Sequence, residues 1–150
     1  MKFIIRNCRD DKLKFEVGEA IKFYSGQLMH VNLSRKLTVT INFRAIENGC
    51  YAECYPSSII NDKPRKFTIN INKKTIDPIL ALSHEMVHVK QYAKRELSIC
   101  HTMWKARRVS VSLQEDDHYR DRPWEKEAEH LEAHLYGDFK KWFSDEYQTF

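Results

Sequence analysis

The residues best equipped for chemistry are His84, Glu85 and His88, in the run His84-Glu85-Met86-Val87-His88. On a helix, side chains four apart lie one above the other on one face. Both imidazoles would therefore reach one point, with Glu85 on the same turn. Two ring nitrogens aimed at one point suit a tetrahedral zinc ion, and the carboxylate suits the task of taking a proton from a water in its open position. The match is short, and an amphipathic helix with two surface histidines would give the same letters. The surrounding chain has to decide between the two.

A catalytic zinc takes three protein ligands. The downstream candidates are His101, His118, Glu125, Glu127, Glu129, His130 and His134. Glu125 stands out on geometry, because Ala128 is small enough to let its helix approach the histidine helix closely. Glu129, one turn further on, is placed to accept the second ring N–H of a ligating histidine, the usual outer support of a metal site. An attacked carbonyl also needs a donor for its developing negative charge. Tyr119 and His118, with His101, are available for that role. Cys50, Cys54, Cys100 and His101 could make another zinc site, but their spacing matches no common finger or ribbon. With Cys8 they are expected as ordinary reduced thiols.

Elements that could hold these residues are legible along the chain. Leu13, Val17, Ala20, Ile21, Tyr24 and Leu28 recur at helical spacing, which predicts an amphipathic helix over about 11–29 with Asp10 or Asp11 as its N-cap. Residues 36–44 alternate apolar and polar, as do 67–72, and each predicts a half-buried strand. Another strand is expected from Cys50 to Tyr55, ended by Pro56, with a polar loop through Pro64. Together the three suggest a small, largely antiparallel sheet with one wet face. Asp77-Pro78 opens the histidine helix, whose stripe Ile79, Leu82, Met86, Val89 and Ala93 leaves His84 and His88 on its flank. The stretch 98–120 reads as a mixed loop with a short strand or hairpin, strand-like around Val109, Val111 and Leu113. Asp121-Arg122-Pro123 starts a last helix with an apolar face of Trp124, Ala128, Leu131, Leu135, Phe139 and Trp142.

Composition sets bounds. At 150 residues and 42% hydrophobic, the chain is most simply one domain, 1–150, with enough residues for a core. No apolar run is long enough to span a membrane, and Met1 to Asn7 lacks the apolar region of a signal peptide. The expected compartment is the cytoplasm, or the host cytoplasm if the chain is virus-encoded. A net charge of +4 is mild. Basic clusters at Lys63-Pro64-Arg65-Lys66, Lys73-Lys74, Lys90/Lys94/Arg95 and Lys105/Arg107/Arg108 are accounted for better by a solvated face than by nucleic-acid binding, which stays the minority reading. Oligomeric state has no signal in the sequence.

With these residues in view, the chain resembles the gluzincins, in which a HExxH helix is followed by a Glu on a later helix, here Trp124-Glu125-Lys126-Glu127-Ala128-Glu129. In thermolysin-like members that second motif supplies a Glu ligand and an acidic residue four later, places matched by Glu125 and Glu129. The Asn before the ligand is Trp124 here and the Ser is Ala128, so the likeness to thermolysin itself is distant. The metzincin extension would need Gly and His where Gln91 and Lys94 stand, and is excluded. The chain also resembles the ImmA/IrrE-like proteases and, more nearly, short metallopeptidases of phages and bacteria with a Pro-Trp-Glu-x-Glu-Ala motif, here Pro123 to Ala128. Glu127 belongs to that motif too and remains the alternative third ligand. The resemblance covers roughly residues 67–135.

The resemblance implies an α+β, minimal zincin-like fold: an N-terminal helix, a small mostly antiparallel twisted sheet, the HExxH helix and a C-terminal helix bearing the Glu ligand. It implies one Zn2+ held by His84, His88 and Glu125, and peptide-bond hydrolysis by a zinc-bound water that Glu85 deprotonates before passing the proton to the leaving amine. The partner would be a protein or peptide substrate, lying extended along a sheet edge near 50–55 or 67–71. One alternative is an SprT-like protease acting on DNA-bound proteins, with His101 as third ligand. His101 and Trp104-Lys105 echo that family, but Thr102 stands in place of its Gly and there is no CxxC. The other is a non-catalytic binding module on the same scaffold, against which the intact Glu85 speaks.

Overall fold

The computed structural model describes residues 1–60 and 63–147. Its elements in chain order are β1 (Lys2–Arg6), α1 (Asp11–Leu28), α2 (Val31–Ser34), β2 (Thr38–Arg44), β3 (Ala52–Ile60), β4 (Lys63–Asn72), α3 (Pro78–Ala93), the two-residue strands β5 (Met103–Trp104) and β6 (Arg107–Arg108), and α4 (Pro123–Tyr147). Two 3-10 turns, Val111–Gln114 and Asp116–Asp121, precede α4. The class is α+β, as expected.

The direction of the sheet is not. Its order is β1-β2-β4-β3, with β1·β2 and β2·β4 parallel and only β3·β4 antiparallel. Alternation reports which face is buried but not which way a neighbour runs. Here α1 crosses over between β1 and β2, and the chain then passes to the edge as β3 before returning as β4 into the gap, which forces the parallel pairings. β1 itself was not foreseen as a strand, and neither was α2. β3 also runs through Pro56 instead of stopping there. At an edge strand the missing proline N–H costs no ladder bond, and the register slips on either side of Ser58. The expected polar loop up to Pro64 is largely strand, with Asn61 and Asp62 outside the described residues. Around 109–113 the structure has irregular chain leading into the 3-10 turn Val111–Gln114 rather than a strand, and Val111 is 73% exposed. The expected hairpin sits earlier, at β5–β6.

The helices begin where local chemistry dictates. The Asp10 side chain accepts from the N–H groups of Lys12 and Leu13 at 2.9 and 3.1 Å. Asp77 caps α3 through the Leu80 N–H at 3.2 Å, with Pro78 in the first helical position. One sheet face carries Val39, Ile41, Phe43, Phe67, Ile69 and Ile71, all buried. Against it pack Val17, Ala20, Ile21 and Tyr24 of α1 and Leu82, Met86 and Val89 of α3. Trp124, Ala128, Leu135 and Phe139 of α4 complete the core. Ala128 is fully buried where α4 crosses α3, so the close approach needs its small side chain. No described helix is long and apolar enough to cross a membrane.

Candidate metal centre

α3 spends its apolar stripe on the sheet, so His84 and His88 fall on the flank that faces α4. Their Nε2 atoms are 3.2 Å apart. Glu125, in the first turn of α4, puts Oε2 3.2 Å from His84 Nε2 and Oε1 3.3 Å from His88 Nε2. Among the described residues these three form the group whose donor atoms converge as metal ligands do. Glu125 is 3% exposed and His88 6%, so the cluster is largely withdrawn from water.

The second nitrogen of each ring fixes its tautomer. His84 Nδ1 lies 2.7 Å from Oε2 of Glu132, and a carboxylate there makes Nδ1 the protonated nitrogen. His88 Nδ1 lies 2.8 Å from Oε1 of Gln91. The Gln91 amide is oriented by its other end, which donates to the Trp124 carbonyl and to Glu127 Oε2, both at 2.9 Å. Its oxygen must therefore face His88, and His88 also carries its proton on Nδ1. Both Nε2 lone pairs then point at each other and at a carboxylate, an arrangement that needs a positive charge in the middle.

The spacing is compatible with a single tetrahedrally held metal ion. Bonds of about 2.0–2.1 Å at tetrahedral angles put neighbouring ligand atoms about 3.3 Å apart, and the observed separations are 3.2, 3.2 and 3.3 Å. Two imidazoles and one carboxylate, each ring supported by an outer acceptor, are a donor set suited to a divalent transition-metal ion.

Without a metal, a proton occupies the place of the cation. Burial opposes charge on His84, but the Glu125 bond, the charge of Glu85 and the Glu132 bond outweigh it and raise its pKa to about 9. His88 is raised on the same balance, burial against Glu125 and Glu85. Glu125 is held well below the usual carboxylate range, because bonds from His84 and His88 outweigh its burial. Glu85 moves the other way: burial raises its pKa, and His88 and His84 only partly restrain it.

The alternative ligand Glu127 is turned away. It accepts from Gln91, from Lys90 at 3.2 Å and from Lys105 at 3.2 Å. Against the pull of burial, Gln91 and Lys90 hold its carboxyl below the usual range. The outer support expected from Glu129 comes from Glu132 instead, and Glu129 is exposed. Seven residues make two helical turns within about 20°, whereas four overshoot one turn by about 40°, so Glu132 stays under Glu125 where Glu129 rotates away. His118 is exposed and lies 3.6 Å from Asp121. Tyr119 lines the cleft, and burial together with the nearby Glu125 carboxylate raises its pKa. His101 shares the cleft but meets the Tyr92 hydroxyl at 2.7 Å through Nε2, and it is not one of the converging three. His130 and His134 are exposed on α4.

In the sequence Glu132 shares a stripe of the last helix with Glu125 and Glu129, whereas Gln91 and Arg122 carry no flag as site residues. Gln91 and Glu132 could have been found by spacing, as the i+3 neighbour of His88 and the i+7 neighbour of Glu125. Arg122 is 7% exposed and binds the carbonyls of Leu113, Gln114 and Glu115, stapling the turns that carry Tyr119. It had no such signal, since its partners are backbone atoms. The cleft itself encloses about 240 Å³ between β3, α3 and the start of α4. No family model, curated protein or solved structure matches the chain.

Proposed function

We propose that this chain is a zinc-dependent peptidase whose metal is held by His84, His88 and Glu125. The observation that carries the reading is the convergence of both Nε2 atoms and the Glu125 carboxylate at tetrahedral ligand spacing, with Glu85 buried in the same cleft. When bound, zinc would supply Lewis acidity, lowering the pKa of a water and polarising a peptide carbonyl. Glu85 acts as general base, taking the proton of the attacking water and returning it to the leaving amine. Its upward-shifted pKa suits a group that must both accept and release a proton near neutrality. Tyr119, whose hydroxyl already lies on the rim, is placed to donate to the carbonyl oxygen as charge develops there. Glu132 and Gln91 keep the two rings in one tautomer and orientation.

The substrate site has a matching wall. β3 is an edge of the sheet, and Ala52, Glu53 and Cys54 line the cleft. An extended peptide pairing with that free edge would lay its backbone across the cluster. The test is Glu85→Gln, which keeps the ligands and removes the base. Protein bound by the Glu85→Gln variant from a cell lysate should be cut by wild type, and left intact by the variant and by chelated wild type. Equal cleavage by wild type and variant would sink the assignment of Glu85.

A further inference from the structure

The helices cover one face of the sheet; the other is exposed along its outer strands and first two rows, while Asn70 and Asn72 toward its far end are buried. Across it run aligned rows of side chains set by the strand register: Lys2–Thr38–Lys66–Ser58, then Ile4–Thr40–Thr68–Tyr55, then Arg6–Asn42–Asn70–Glu53, with Arg44 beside Asn72 at the end. Lys2, Arg6, Arg44 and Lys66 are all exposed. None of the four has an ion-pair partner among the described residues, whereas Lys22, Lys90, Lys105 and Lys140 are all paired. The one acid in these rows, Glu53, accepts from the Asn70 amide at 2.8 Å. Four cations against one acid give a net of three, out of four for the whole chain.

We infer that this open sheet face binds single-stranded nucleic acid. The order of the rows is what points to it. The middle row is uncharged and carries an exposed aromatic ring, Tyr55 at 44%, and an exposed Ile4 at 47%. Lys2 and Lys66 lie on one side of it; on the other lie Arg6, whose row also holds Glu53, and one row further Arg44. With strands about 4.8 Å apart, Lys2 and Lys66 stand about 10 Å apart along their row. Phosphates would meet the cations, and a base would lie on Tyr55 in the row between. Hydroxyls of Thr38, Thr40 and Thr68 offer the remaining contacts. A duplex fits this surface less well, because its bases are stacked inside and give Tyr55 nothing to stack on. The face lies across the sheet from α3 and shares only Glu53 with the lining of the cleft. The inference is independent of the metal.

The test is fluorescence anisotropy of the full chain with a labelled oligothymidylate and with a duplex of equal length, over a salt series. Four neutralised phosphates predict a slope of log K against log salt near about −3 for a single strand, at about −0.7 each. Arg6→Ala with Lys66→Ala should halve that slope. Tyr55→Ala should cost on the order of tenfold in affinity with the slope unchanged, and Tyr55→Phe should restore it. These residues are on the surface, and far-UV circular dichroism verifies that each variant is folded. Absence of binding at about 50 mM salt, affinity for duplex or for anionic lipid vesicles above that for the single strand, or indifference to the Arg6/Lys66 or Tyr55→Ala changes would overturn the inference.

Discussion

Replacing Gln91 by Leu tests whether the metal site is held by its surroundings or only by its ligands. Gln91 is fully buried and makes three bonds, to His88 Nδ1, to the Trp124 carbonyl and to Glu127. Leu has similar bulk, so no large cavity opens. It leaves the His88 N–H without a partner, while the Trp124 carbonyl keeps its helical bond from the Ala128 N–H and Glu127 keeps Lys90 and Lys105. A buried polar group left unpaired costs about 1–3 kcal/mol. For a chain of this size that lowers the melting temperature by about 3–10 °C. The freed imidazole can also rotate or change tautomer, and losing such a support weakens metal binding by about 10–100-fold. Thermal melts with and without chelator measure the first effect, and competition against a chromophoric chelator measures the second. Wild-type zinc affinity in Gln91→Leu, whatever its melting temperature, would refute the claim that Gln91 sets the His88 tautomer.

Glu132→Ala should weaken zinc binding by about tenfold or more, through loss of the His84 Nδ1 acceptor, and Glu129→Ala should leave it unchanged; the same competition assay separates them. Zinc affinity should rise with pH. Below about 9 the metal-free site keeps a proton on His84 that the metal must displace, so the affinity gains about tenfold per pH unit for each proton released, and a pH-independent affinity between pH 6 and 8 would contradict this. The metal-free protein should show the opposite trend. A raised histidine pKa stabilises the fold fully below about 6.5, and that contribution is lost as pH rises through about 9, which denaturant titrations with chelator present would register. Tyr119→Phe should lower kcat on a cleavable substrate by roughly 10–1000-fold while leaving zinc content intact, if its hydroxyl serves the oxyanion.

The helices were legible because their signals are local. Asp10 and Asp77 cap where their side chains can reach the first N–H groups, and the stripe from Ile79 to Ala93 put the two histidines on the right flank. Glu125 could be named because a small residue, Ala128, marks where α4 meets α3. The sheet was less legible, since the same alternation in β2 and β4 serves parallel and antiparallel neighbours alike, and only the path through α1 and β3 chooses. Pro56 misled because a strand-breaking residue is harmless at an edge, and edge position is a property of the whole sheet. Glu129 misled by one element of helix geometry: acid four residues on is a neighbour along the helix, but Glu132 is the residue that stays on the metal-facing line. Arg122 was invisible because carbonyls of three successive residues leave no side-chain pattern in the sequence.

The central claim rests on which carboxylate completes the site, and the metal content of three purified proteins tests it directly. Wild type should bind one zinc per chain, Glu127→Ala should still bind one, and Glu125→Ala should release it to a weak chelator. A wild type that takes up no zinc, or a Glu125→Ala variant that holds it as tightly as wild type while Glu127→Ala does not, would contradict the account.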